Sequence, residues 1–307
     1  MGERKWCNER IVPMKAKILL GSFILIFILP VATVARDIEP FVSTDWLEQN
    51  RTRSDLTLLD IRTPERYAKG HIPGAVNSPV SLWTIFSDGL TVELPSDETL
   101  RELLGKAGIT AVQQVVVINH TDSDFARSDA VRVAWTCILA GIQNVAVLDG
   151  GFNKWEREKK PSSTETLQIQ PVIYDGNISR TSLVNKEQVL RRSRETILLD
   201  TRIPEDYFGI TDPNGHIKGA KNLPIPWQFT SAGAIIPVKT LQAIIEGVAG
   251  NDKAREIIIY CGVGGFAAAE WYIMTEVLGY RNVKVYDGSW EEWLQDPTAP
   301  VTAYQWE

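Results

Sequence analysis

Cysteine is scarce in this chain, with only Cys7, Cys137 and Cys261 among 307 residues. Three widely spaced thiols cannot form a disulfide framework. Histidine is equally scarce, and His71, His120 and His216 stand apart from one another and from any cysteine pair, so no metal site is expected. Positive charge is not in excess: Lys plus Arg number 32 against 38 Asp plus Glu, a formal net charge of −6. That balance argues against a nucleic-acid partner, which needs a basic surface. What is present is ordinary for a globular protein, 44% hydrophobic and 23% charged residues. The length suits two domains, each with its own core.

The first 36 residues stand outside this pattern. Arg4, Lys5, Arg10, Lys15 and Lys17 precede an apolar run from Ile18 to Leu29, and the small residues Thr33 and Ala35 follow. A basic segment, an apolar segment and a small-residue exit form the pattern of a secretory signal peptide. The run is also just long enough for an uncleaved membrane anchor. Translation from Met14 would give the more compact signal. The expected location is exported, periplasmic or otherwise extracytoplasmic, with the membrane touched only through this segment.

The rest of the chain repeats itself. Leu58-Leu59-Asp60-Ile61-Arg62-Thr63-Pro64-Glu65 matches Leu198-Leu199-Asp200-Thr201-Arg202-Ile203-Pro204-Glu205. Gly70-His71-Ile72-Pro73-Gly74-Ala75 matches Gly215-His216-Ile217-Lys218-Gly219-Ala220, and Asp149-Gly150-Gly151-Phe152 with Trp155 matches Asp287-Gly288-Ser289-Trp290 with Trp293. The copies lie roughly 140 residues apart, much longer than a solenoid unit, so the repeat is a duplicated domain. Short apolar runs predict strands at Thr57–Leu59, Val115–Ile118 and Val145–Leu148, then at Thr196–Leu199, Ile257–Tyr260 and Val283–Tyr286. Helices are predicted over Ser128–Ala140 and Ala267–Leu278, each closed by a glycine. Alternating strands and helices predict an α/β fold, with a parallel sheet covered by helices on both faces of each copy. The domains are placed at residues 37–160 and 181–307, joined by a linker over 161–180.

The Asp-x-Arg strand end, the Gly-His-Ile-x-Gly-Ala turn and the Asp-Gly-x-aromatic ending, in that order and twice over, resemble the rhodanese family. Two copies in one chain resemble the tandem thiosulfate or 3-mercaptopyruvate sulfurtransferases. The resemblance implies one working cysteine, in the second copy, that carries sulfur as a persulfide. It implies a small-molecule sulfur donor, a thiol or cyanide-like acceptor, and no cofactor. Cys261 ends the predicted strand Ile257–Tyr260, whereas Asn119, which lacks a nucleophilic sulfur, ends its counterpart in the first copy. The first copy is therefore expected to be catalytically silent, and its loop from Asn119 to Ser128 is longer.

Gly262, Val263, Gly264, Gly265 and Phe266 follow Cys261 and lead into the predicted helix. Open α/β sheets bind ligands at such strand-to-helix turns. Three glycines let the backbone turn so that its N–H groups converge, and the helix dipole adds positive potential. Both effects favour thiolate over thiol and would hold a persulfide anion. These five residues are the expected substrate-binding loop, with Cys261 the catalytic residue and Arg202 a possible anion ligand. Arg202 could equally be a structural ion pair with Asp200 or Glu205, since Arg62 takes the same place in the first copy.

The loop also departs from the family. Phe266 and Val263 stand where relatives carry hydroxyl residues, the loop bears no charge, and Asp206 stands near where a second arginine is expected. A Cys-x5-Arg phosphatase loop is excluded, because position 267 is Ala. Cys137 is expected in the core, His120 at the surface, and His71 and His216 as hydrogen-bonding turn residues. Trp227 is expected at the pocket, in the core or at the contact between the domains, and Trp290 and Trp293 in the core. Two functions stay open, a sulfurtransferase acting on small donors and a sulfur (or selenium) carrier that delivers the atom to a protein partner.

Overall fold

The computed structural model describes residues 36–304, together with Gly2. The expected signal or anchor segment therefore lies, Arg36 apart, outside the described residues. Among the described residues no helix is long and apolar enough to cross a membrane.

The first copy contains β1 (Phe41–Val42), α1 (Thr44–Asn50), β2 (Leu56–Asp60), α2 (Pro64–Lys69), β3 (Ala75–Asn77), β4 (Ile85–Ser87), β5 (Leu90–Glu93), α3 (Asp97–Lys106), β6 (Gln114–Ile118), α4 (Asp124–Leu139), β7 (Val145–Leu148) and α5 (Gly151–Arg157). The second contains β8 (Leu183–Val184), α6 (Lys186–Leu190), β9 (Ile197–Asp200), α7 (Pro204–Tyr207), β10 (His216–Ile217), β11 (Lys221–Asn222), α8 (Val238–Ala249), β12 (Ile257–Tyr260), α9 (Gly265–Tyr272), β13 (Val283–Tyr286), α10 (Ser289–Leu294) and β14 (Val301–Thr302). Each copy builds a five-stranded parallel sheet, in the orders β1-β7-β6-β2-β3 and β8-β13-β12-β9-β11. The two orders are equivalent strand for strand, so the duplication read in the sequence is a duplication of topology.

The central strands are buried on both faces. Val115, Val116, Val117 and Ile118 are fully covered, as are Ile257 and Ile259. Continuous β-branched runs are what such a site requires, because neither face meets water. The six predicted strands form, with ends shifted by at most one residue. The helix predicted from Ser128 starts earlier, at Asp124, where the Ser123 side chain accepts from the Ala126 N–H. The helix predicted from Ala267 starts at Gly265, and its last stretch, Ile273–Val277, widens into a π-turn.

Helix α4 packs against α9 across the boundary between the copies. Ala130, Val131, Val133, Ala134, Trp135 and Cys137 are buried around most of the circumference of α4. A helix apolar on all sides is a buried one, and here its own sheet covers one side and α9 the other. One apolar cluster accordingly contains Val117 and Trp135 of the first copy and Ile259 and Tyr272 of the second. The segment after α5 binds the first copy: Ser163 pairs with His71, the Tyr174 hydroxyl donates to the Ala140 carbonyl at 2.7 Å, and Arg101 holds the Gly176 carbonyl. Fastened in this way, the connection adds little freedom between the copies.

Candidate active site

Strand β12 carries the chain to Cys261 at the C-terminal edge of the second sheet, between β9 and β13. The Cys261 carbonyl accepts from Trp290 N–H at 3.0 Å, and its own N–H donates to the Ser289 hydroxyl at 3.1 Å. Ser289 holds a left-handed φ of 51° and passes its proton to the Tyr286 carbonyl at 2.8 Å. The backbone around the sulfur is thus fixed by three elements before any ligand arrives.

The loop then turns back under the sulfur. Gly264, at φ +87°, directs its N–H at Cys261 Sγ from 3.0 Å. The N–H groups of Ala267, Val263 and Phe266 also favour the charged form of the sulfur. The expected anion cradle is present, but its expected effect on the resting thiol is not. Burial pushes the Cys261 thiol above its ordinary range, because desolvation outweighs the four N–H groups. Cys137 is also buried, with no such cradle, and burial alone pushes its thiol up strongly.

A cavity of about 450 Å³ opens above Cys261, and both copies build it. Gly262, Val263, Gly265 and Phe266 line it from below, and Ile203 and Asp206 from one side. Val92, Asp124, Phe125, Ser128 and Asp129 close it from the first copy. Gly264 lies behind the wall. A Cβ there would sit 2.4 Å from Asp287 Oδ1 and 2.5 Å from its carbonyl. Gly264 is therefore a backbone donor to the sulfur and does not itself line the cavity.

Of the two roles expected for Arg202, the ion pair with Asp200 is present. Arg202 borders the cavity, but Asp200 takes its Nε and Nη2, and Nη2 also donates to the Gly215 carbonyl at 2.7 Å. Its guanidinium stacks on the Trp290 ring, 4.5 Å from the centroid. Arg62 repeats the arrangement with Asp60, the Gly70 carbonyl and the Phe152 ring. The shared geometry is that of a buried structural pair. The histidines share a role too: His71 stacks on Tyr67 and His216 on Tyr207, and each ring Nδ1 bonds that tyrosine's carbonyl. Trp227 is 56% exposed and is part of neither the Cys261 cavity nor the core. Trp290 and Trp293 are buried as expected.

At the equivalent place in the first copy the Asn119 amide donates to the Ala126 carbonyl at 2.8 Å. Phe229 and Gly233 of the second copy crowd this place and leave a space of about 10 Å³, room for about one water. His120 is half-buried here and not at the surface, its Nδ1 on Asn153 and its ring edge-on to Phe152. Sequence reasoning missed the residues that the first copy adds to the Cys261 cavity. Their one signal was the greater length of the stretch from Asn119 to Ser128, whose second half folds as the first turns of α4 and supplies Asp124, Phe125 and Ser128.

The Rhodanese-like domain family matches residues 43–158 and again 184–296. A protein of Synechococcus elongatus, provisionally named a thiosulfate sulfurtransferase, is 29% identical over 86% of this chain and 85% of its own length. The sulfur carrier protein TtuD of Thermus thermophilus is 29% identical over 83% of this chain and 93% of its own. The anaerobic ergothioneine biosynthesis enzyme of Chlorobium limicola, solved with trimethyl histidine, shares the fold at a TM-score of 0.72 and 21% identity, over 87% of this chain and 70% of its own. With two matched regions that coincide with the two sheets and most of the described chain, this protein belongs to the rhodanese-like family in its two-domain form.

Proposed function

We propose that the protein is a sulfurtransferase that carries sulfane sulfur on Cys261. The observation that supports this most directly is the Cys261 sulfur at the floor of a substrate-sized cavity, faced by the N–H groups of its own loop. In the first half-reaction the thiolate attacks the outer sulfur of thiosulfate, or the thiol sulfur of 3-mercaptopyruvate, whose C–S bond breaks to leave the enolate of pyruvate, protonated on carbon. The donor's bond to that sulfur breaks, sulfite or pyruvate leaves, and a Cys261 persulfide remains. In the second, a thiophilic acceptor takes the outer sulfur, and the electrons of the S–S bond return to Cys261. The loop N–H groups then act on charge that forms during reaction, where fixed donors contribute most. The related names support the same chemistry, thiosulfate sulfurtransferase for one relative and sulfur carrier for another.

A second reading keeps the persulfide and makes the acceptor a protein. Phe125, 69% exposed at the cavity mouth, favours it by offering an apolar contact beside the sulfur. The basic and apolar pattern of residues 1–36 further supports export or anchoring of the catalytic domains. The test is intact mass after incubation with thiosulfate, and separately with 3-mercaptopyruvate, followed by cyanide. A gain of one sulfur that cyanide removes, absent in Cys261→Ser, is the expected result. No gain from any sulfane donor, polysulfide included, would sink the persulfide reading. Fast discharge to small thiols favours the enzyme, and discharge only to a protein favours the carrier.

A further inference from the structure

The cavity over Cys261 is bordered by an apolar wall and by charged side chains. Phe125 and Phe266, one from each copy, stack with ring centroids 5.2 Å apart at 29° and form an apolar wall. The ionisable side chains on the wall are Asp124, Asp129, Asp206 and Arg202. Arg202 is held by Asp200 and cannot turn to a ligand without abandoning a buried carboxylate. Asp124 is paired with Arg127. Asp206 is bonded only to the Thr211 hydroxyl, and Asp129 has neither an ion pair nor a hydrogen bond among the described residues. Burial raises the Asp129 carboxyl to about 6, with Arg132 as its only opposing charge, and no ion pair reaches it among the described residues.

A second observation points the same way. Ser128 is 2% exposed, borders the cavity, and its hydroxyl has no partner. A buried hydroxyl left unpaired is costly, and a ligand group that bonds it recovers that cost. The space thus combines an aromatic wall, a free hydroxyl and two carboxylates without cations. An anionic compound would meet uncompensated negative charge, whereas an ammonium group would meet Asp129 and Asp206.

Resting on the persulfide reading, we propose that the acceptor bound in this cavity is an organic thiol with an apolar body and a cationic head, and that anionic thiols are poorer acceptors. The acceptor thiolate attacks the outer sulfur of the Cys261 persulfide. A new S–S bond forms on the acceptor, the bond to Cys261 breaks, and its electron pair stays on Cys261 Sγ under the loop N–H groups. The persulfide proton remains on the transferred sulfur.

The experiment loads Cys261 with sodium tetrasulfide and follows discharge by intact mass in cysteamine and in 3-mercaptopropionate. Each rate is divided by the same thiol's rate with glutathione persulfide in solution. The expected corrected ratio favours cysteamine by on the order of tenfold, and it falls towards one in an Asp129→Asn/Asp206→Asn variant. A corrected ratio at or below one in the wild type overturns the proposal and leaves the persulfide reading intact. If no persulfide forms, that reading fails instead. Labelling of Cys261 by aminoethyl against sulfonatoethyl methanethiosulfonate then decides the charge preference, with methanesulfinate as the leaving group in both. Faster labelling by the cationic reagent supports the preference, and equal or slower labelling overturns it.

Discussion

Arg132 of the first domain and Asp287 of the second form a buried ion pair, 2.8 Å from Nη1 to Oδ1, directly behind the Cys261 loop. Arg132 also holds the Val92 carbonyl at 2.7 Å, and Asp287 accepts from the Leu94 N–H at 3.2 Å. The pair therefore ties β5 of the first domain to the turn after β13 of the second, and brings Val92 to the cavity wall. Removing one partner leaves the other charge buried and unpaired. Arg132→Met or Asp287→Leu alone is expected to lose about 3–5 kcal/mol. The double variant should recover much of that loss, because both charges are gone. Urea unfolding of the three variants checks this, and equal losses in all three would contradict it.

Gly264 and Gly262 sit two residues apart and differ sharply in what a side chain would meet. A Cβ at 264 would need a left-handed φ and would overlap Asp287, whereas one at 262 meets nothing within 4 Å. Gly264→Ala should shift the N–H away from Cys261 Sγ and slow persulfide formation by on the order of a hundredfold, the scale for loss of an oriented backbone donor. Gly262→Ala should stay within a few-fold of wild type by the same measure. Rates of sulfur gain by mass spectrometry compare the two.

The Cys261 thiol responds to pH in a direction fixed by its burial. Its ionisation is raised above the ordinary range, so reactive thiolate accumulates only as pH increases. Iodoacetamide labelling of Cys261 should climb with pH and keep climbing beyond the point where a free thiol levels off. Phe125→Ala removes part of the cover and lets water reach the loop. The labelling curve should then move to lower pH. A curve that levels off below that of free cysteine would contradict the burial argument.

Much of this was legible in the sequence because it is periodic or duplicated. Ile257–Tyr260 and Val115–Ile118 are strands buried on both faces, and such strands appear as unbroken apolar runs. Asn119 and Cys261 are comparable because the flanking motifs repeat. The cavity was not legible, since Val92, Asp129 and Asp206 meet only through the packing of α4 on α9. Nor was the balance at Cys261: glycines announce the N–H cradle, but the burial that opposes it comes from the neighbouring domain. The β4–β5 hairpin, short and partly exposed, carries too weak a pattern to be read in advance.

The equivalence of Arg62 and Arg202 yields a prediction about role. Both are buried, both pair with an aspartate two residues earlier, and both stack on an aromatic ring. If the role is structural in both, Arg62→Ala and Arg202→Ala should lose similar stability, about 3–5 kcal/mol each. The donor preference of Arg202→Ala, measured as the ratio of persulfide gain from thiosulfate to that from 3-mercaptopyruvate, should match that of wild type. A specific loss of one donor would restore Arg202 as a substrate ligand.

Glu270 is fully buried on α9, and the Gln228 amide donates to it. Burial raises its carboxyl to about 8, the hydrogen bond from Gln228 opposing only part of the shift. Between the ordinary glutamate range and about 8 the folded protein keeps a proton that the unfolded chain has released. Stability contributed by this group is therefore full below the unfolded value, falls as pH rises through this window, and is constant above it. Glu270→Gln removes the titration and keeps the shape. Its amide oxygen can still accept from Gln228 Nε2, and its amine can donate to Gln228 Oε1, which has no partner in the native protein. The variant should be close to wild type near pH 5 and more stable by on the order of a few kcal/mol at pH 8. Urea midpoints at the two pH values measure the difference, and a gap that stays the same at both would show that Glu270 is ionised throughout.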